Sequence, residues 1–275
     1  MLTRSFLFAA AVVAAGSGMA AVAGDISLSA DPKIKGRQIA EESERRNVGF
    51  GDTQAVMKMV LESAQKEVSV RELRMSTLEQ PAADVGDSSL IVFDRPTDVA
   101  GTALLTHAKI LDPDDQWIYI PAVSRIKRIS SANRSGPFLG SEFAYEDFST
   151  LEVGKYQYLW LRDERCPKPN DGLECHVVER RPLYENSGYL RQIAWFDRKE
   201  YQVRTVAFYN RQDALLKTLT LADYRQYLGK YWRAHDLYMQ NHVSGRATRV
   251  RWLNFAFKTG LTQAAFDPDA LTRMR

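Results

Sequence analysis

From residue 67 onward apolar and polar positions exchange places about every second residue, the period of a half-buried strand. Val68, Val70, Leu73 and Met75 open the series. Runs at 90–93, 103–109 and 116–120 continue it, and others follow at 156–162, 174–180, 190–197, 203–210, 218–224, 231–241 and 248–255. Ser244 and Gly245 mark a hairpin turn between the last two. Tyr224, Tyr227, Leu228 and Tyr231 recur at helical spacing, but Gly229 and the flanking runs make this a turn between strands. The pattern predicts roughly ten or eleven antiparallel strands, which a sandwich, a barrel or an incompletely closed barrel would accommodate.

Upstream the period lengthens. Asp31 and Pro32 read as an N-cap and first helical position, while Gly36 weakens the helix they open. Asp52 or Thr53 is placed to cap a second helix carrying Val56, Met59 and Val60 on one face, with Gly49 and Gly51 separating the two. The expectation is a mainly β chain with α, two N-terminal helices preceding a large antiparallel sheet.

Residues 115–148, DQWIYIPAVSRIKRISSANRSGPFLGSEFAYEDF, interrupt the regular series. Gln116 to Ile120 and a second run through Val123, Arg125, Lys127 and Ile129 form a hairpin around Pro121. Ser135, Gly136 and Pro137 then force a turn that presents Phe138 and Leu139 beside Gly140. Apolar residues in a turn need a partner. The wording WIYIP, SRIKRIS and GPFLGSEFAYEDF resembles the outer membrane lipoprotein-sorting proteins, relatives of the lipoprotein carrier LolA. The resemblance extends from about residue 33 onward, and its specific part is this block.

The resemblance implies a LolA/LolB-like fold: a strongly curved antiparallel sheet, an unclosed barrel whose hollow is partly covered by helices and loops. It implies a periplasmic carrier of lipid or of acylated lipoproteins, working with an inner-membrane transporter of the RND superfamily. A docking module that meets such a transporter without carrying lipid is the alternative.

The first residues fit that setting. Arg4, an apolar run from Phe6 to Ala15, and the small residues Ala21, Val22 and Ala23 read as a signal peptide over 1–23. One domain over 24–275 would remain, of 252 residues. The apolar run is too short to span a bilayer, which takes about 20 residues. Losing Arg4 with the leader takes the net charge from +3 to +2, which argues against bulk nucleic-acid binding. Arg125, Lys127, Arg128 and Arg134 form a local basic cluster that either contacts anionic headgroups or a partner, or is the solvated face of a hairpin. Cys166 and Cys175 flank a turn rich in Pro, Asn, Asp and Gly, and in an oxidising compartment they are expected to pair. Their spacing fits neither a metal site nor a CxxC redox motif.

Catalytic chemistry finds little support. His107, His176, His235 and His242 are scattered over separate strands, and no HExxH, GxSxG or P-loop is present. His235 and His242 lack an evident third metal ligand. Glu146 and Asp147 would diverge if extended. No catalytic residue, metal or cofactor is expected; the enzyme class that competes with this reading is an ester hydrolase acting on lipid. Large side chains are plentiful by contrast. Phe93, Leu104, Trp117, Tyr119, Phe143, Tyr145, Tyr158, Trp160, Trp195 and Phe208 on strands, with Phe138 and Leu139 in the turn, are candidates to line an apolar cavity or to fill a core.

Overall fold

Asp31 opens the one α-helix among the described residues, α1 (Pro32–Asn47), by accepting the backbone N–H groups of Lys33 at 2.8 Å and Ile34 at 3.1 Å. The computed structural model describes residues 26–80, 85–148 and 152–273. The leader at 1–23 therefore lies outside the described residues. Gly36 serves packing here. A Cβ at this position would come within 2.7 Å of the Trp160 backbone nitrogen, so glycine lets the helix lie against the chain at Leu159 and Trp160.

The second helix does not form. Its residues make β1 (Asp52–Glu62), because Ala55, Met57, Met59 and Leu61 form a buried set of period two that outweighs the helical spacing of Val56, Met59 and Val60. Asp52 caps no helix; its carboxylate accepts the Thr259 N–H at 2.7 Å. The strands that follow are β2 (Val68–Leu78), β3 (Val85–Arg95), β4 (Ala103–Lys109), β5 (Asp115–Ile120), β6 (Arg125–Arg128), β7 (Tyr156–Arg165), β8 (Glu174–Pro182), β9 (Arg191–Asp197), β10 (Val203–Tyr209), β11 (Leu215–Tyr227), β12 (Tyr231–Asn241) and β13 (Ala247–Phe257). Thirteen strands thus replace the expected ten or eleven, and β1 is one of the additions.

All thirteen belong to one sheet in the order β6-β5-β4-β3-β2-β1-β13-β12-β11-β10-β9-β8-β7. The ladders are antiparallel throughout. β1 sits centrally because it pairs with both β2 and β13, while β6 and β7 are the open edges. On a flat sheet β4 and β8 would stand about 40 Å apart. Yet Leu104 of β4 and Val178 of β8 share one continuous buried core, so the sheet curls strongly. Register shifts in β1 at Val56/Met57, in β2 at Glu72/Leu73 and in β10 at Phe208/Tyr209 supply local bends.

The chain must pass from edge β6 to edge β7, and this crossover fills the concave side. Phe138, at 0 % exposure, is no exposed apolar turn residue: its ring lies 5.6 Å from Phe93 and 4.6 Å from Phe148. Helix α1 adds Ile39 and Ala40 to the same core. A second, smaller core lies on the outer face, where Phe266 and Leu271 cover Leu90, Val92, Leu105 and Tyr119.

Candidate functional site

Period-two alternation decides which side chains reach the hollow. Met57 and Met59 of β1, Leu73 and Met75 of β2, Ile91 of β3, Val206 and Phe208 of β10, Leu237 of β12, and Val250 and Trp252 of β13 all face inward. Together with Phe138, Phe143 and Phe148 of the crossover they surround a cavity of about 320 Å³. The methionines suit this position, since flexible thioether chains adapt to an apolar occupant of variable shape.

Polar groups gather at particular points of the wall. Lys217 of β11 donates to the Asp147 carboxylate at 2.7 Å and to the Glu142 carbonyl at 2.9 Å. Tyr189 donates to the other Asp147 oxygen at 2.8 Å. Glu146 accepts from the Gly188 N–H, the Ser187 hydroxyl and the Tyr184 hydroxyl at 2.8, 2.9 and 3.2 Å. Burial, then the neighbouring Asp147 charge, raises the Glu146 carboxyl above its ordinary range. Glu146 and Asp147 occupy a 3-10 turn rather than a strand, so they diverge by a different geometry from the extended one. Lys155 pairs with Asp114, and Arg134 donates to the Asp114 carbonyl.

A different patch lies on β8. Arg180, only 5 % exposed, donates from Nε to Gln192 at 2.6 Å and sits 5.5 Å from the Tyr156 ring centroid. Tyr156 and Tyr184 place their hydroxyls 3.3 Å apart, which links this patch to Glu146.

The crossover is well tethered. Arg71 donates to the Leu139 carbonyl at 2.6 Å, Arg246 to the Gly140 carbonyl at 2.8 Å, and Asn241 to Glu142 at 2.7 Å. The Glu142 N–H donates to Thr248 at 3.0 Å.

Of the residues the sequence singled out, Phe138, Phe143 and Phe208 line the cavity. Phe93 and Leu104 lie in the surrounding core, and Leu139 and Tyr145 pack against it. Tyr158 and Trp160 belong to the part beneath α1, where Lys35 lies 3.5 Å above the Trp160 ring. Trp117 and Tyr119 fall on the outer face with the second core. Trp195 points away from Ala194 and Phe196 and donates to Glu164 at 2.8 Å. These three are therefore not brought together with the cavity residues. The basic cluster also divides. Arg125, Lys127 and Arg128 are exposed on edge strand β6, whereas Arg134 turns inward with the crossover and is buried.

Sequence reading missed Arg180, Gln192, Lys217 and the methionines. A signal existed for Arg180: Glu179 and Arg181 pair across one face at 2.7 Å, and alternation then leaves Arg180 on the other face with Val178.

The histidines occupy separate settings. His107 meets the Phe266 carbonyl at 2.7 Å, His176 the Asp163 carboxylate at 2.7 Å, and His242 the Thr218 hydroxyl at 2.8 Å. His235 has both ring nitrogens engaged, with Tyr227 and the Trp252 carbonyl. Among the described residues no group of three or more His, Cys, Asp or Glu side chains is arranged to hold a metal. Cys166 and Cys175 form a disulfide with a Cα separation of 5.1 Å. No described helix is long and apolar enough to cross a membrane.

A domain from Vibrio parahaemolyticus described as outer membrane lipoprotein-sorting is 47 % identical, over 87 % of this chain and 99 % of its own, with a TM-score of 0.83. The chain belongs to the outer membrane lipoprotein-sorting protein family. A family model described only as an uncharacterized protein matches residues 86–273. A DUF1329 family protein from Desulfovibrio piger is similar at 28 % identity, over 88 % of this chain and 99 % of its own, with a TM-score of 0.81. A LolA superfamily protein from Nitrosomonas europaea, 19 % identical over 85 % and 98 %, shares the fold with a TM-score of 0.65. No curated protein matches the chain. The curled, unclosed antiparallel sheet is the fold these chains share.

Proposed function

We propose that this chain is a periplasmic, non-catalytic binding protein for acyl chains, carried either by a lipoprotein or by a free lipid. The observation that supports this reading most strongly is the cavity enclosed between the curled sheet and the crossover, walled by methionine, leucine, valine and phenylalanine side chains. Each methylene moved from water into such a site contributes about 0.8 kcal/mol. A chain of ordinary lipid length therefore binds usefully without chemistry. The lipoprotein-sorting description of the Vibrio domain agrees with that cargo class. An RND-superfamily transporter is the partner we assign to it, on the family resemblance.

A second reading is a docking module that carries no lipid. The exposed edge strand β6, with Arg125 and Lys127 directed to solvent, is the observation in its favour. Native mass spectrometry of the protein taken gently from its periplasm, followed by lipid identification on any bound mass, separates the two. A stoichiometric acyl ligand is expected. A clean unliganded mass that also takes up no added fatty acid or acylated peptide would leave the docking module.

A further inference from the structure

The buried cations of this molecule are matched by carboxylates at most sites. Lys155 has Asp114, Lys217 has Asp147 and Arg204 has Asp197. Arg180 differs. It is as buried as these, yet among the described residues its hydrogen-bond partner is the neutral Gln192 and its other neighbour is the Tyr156 ring. Glu179, the adjacent carboxylate in sequence, is turned to the opposite face and engaged with Arg181 and Arg191. A guanidinium cannot shed its charge by losing a proton. A buried ion without a counter-charge carries a desolvation cost that only a well-placed anion offsets.

The setting says which anion. Arg180 lines the same cavity as Met59, Leu73, Val206 and Phe208, so the anion must be attached to something apolar. The volume of about 320 Å³ lies at the lower end of the roughly 300–1,000 Å³ of small-molecule pockets. That is room for one chain rather than for the several of a lipoprotein. Tyr158, the register partner of Arg180 on β7, also has a buried hydroxyl with no hydrogen-bond partner among the described residues, on the side beneath α1.

We infer that Arg180 is the anchor for the oxyanion head of a single-chain amphiphile whose tail occupies the methionine-lined cavity. This rests on the acyl-binding reading above and narrows it to ligands headed by a carboxylate or a phosphate monoester. The guanidinium fork matches either group, and Gln192 holds Nε so that the remaining N–H groups face the head.

The test compares palmitate, hexadecyl phosphate and hexadecanol as competitors of a fluorescent acyl probe, on the wild-type chain, Arg180→Met and Arg180→Lys. In the wild type at least one anionic ligand is expected to bind roughly tenfold to a hundredfold more tightly than the alcohol, the range of a charge-assisted hydrogen bond. Palmitate ahead of hexadecyl phosphate assigns a carboxylate head, and the reverse order assigns a phosphate. Arg180→Met should erase the preference, and Arg180→Lys should restore part of it. Equal affinity for all three ligands in the wild type overturns the anchor and leaves the acyl-binding reading intact. No binding of any of them overturns both. The wild-type ratio needs no variant, and each variant is read as a ratio within one protein, so a loss of folding cannot pass for a loss of preference.

Discussion

The crossover and the β7–β9 patch both carry charge into the same hollow, yet they treat it in opposite ways. At the crossover, Lys217 meets Asp147, Lys155 meets Asp114, and the carboxylate of Glu146 takes three donors from the β8–β9 connection. On β8, Arg180 has a neutral amide and an aromatic face. A buried charge whose partner is built into the chain fixes structure, because removing either member strands the other. Arg180, with no carboxylate partner among the described residues, carries a desolvation cost that the inferred ligand head would offset.

This contrast is open to direct attack. The largest effect should come from Lys217→Met, which leaves Asp147 buried without its cation. A loss of about 3–5 kcal/mol is expected in urea denaturation. Phe138→Ala should cost a similar amount, about 3–5 kcal/mol by the same measurement, because the ring stands at the centre of the crossover's aromatic contacts. Arg180→Met should change stability by no more than about 1 kcal/mol, since a thioether chain replaces an uncompensated ion at similar volume. If Arg180→Met were as damaging as Lys217→Met, the distinction between the two regions would fail.

The smallest effect concerns pH. Where the crossover rejoins the sheet, burial first and then the nearby Glu44 charge push the Glu152 carboxyl up to about 7. Burial pushes Asp87 up to about 6. A carboxyl raised in the folded state holds its proton longer there than in the unfolded chain. Its contribution to stability is complete below the ordinary value of 4.5 for Glu152 and is lost as pH rises through about 7. Between pH 5 and pH 8 the urea midpoint should therefore fall less in Glu152→Gln than in the wild type. His176, whose ring is held below its ordinary value by burial, acts in the other direction in both proteins, so the difference between them isolates Glu152.

Much of the sheet was legible because its strands obey one simple rule. The runs at 103–109 and 231–241 coincide with β4 and β12, and the turn at Gly229 separates β11 from β12 as the flanking runs implied. β1 was misread because Val56, Met59 and Val60 satisfy helical spacing as well as strand alternation, and only the neighbours β2 and β13 settle the choice. The site was harder to read. Inward and outward aromatic residues look alike in sequence, so Trp117, Tyr119 and Trp195 could not be separated from Phe208 without knowing which face the segment at 261–273 covers. Arg180 lay hidden for a different reason. It sits among Glu179, Arg181 and other charges, and its isolation emerges only when alternation assigns those partners to the opposite face.

A crystal structure of the chain grown with palmitate tests the central claim most directly. The acyl chain is expected between the crossover and the inner faces of β1, β2, β10 and β13, with its carboxylate in hydrogen-bond contact with the Arg180 guanidinium. An empty cavity under saturating ligand, or a head group lodged at Lys217 or on the outer face, would contradict it.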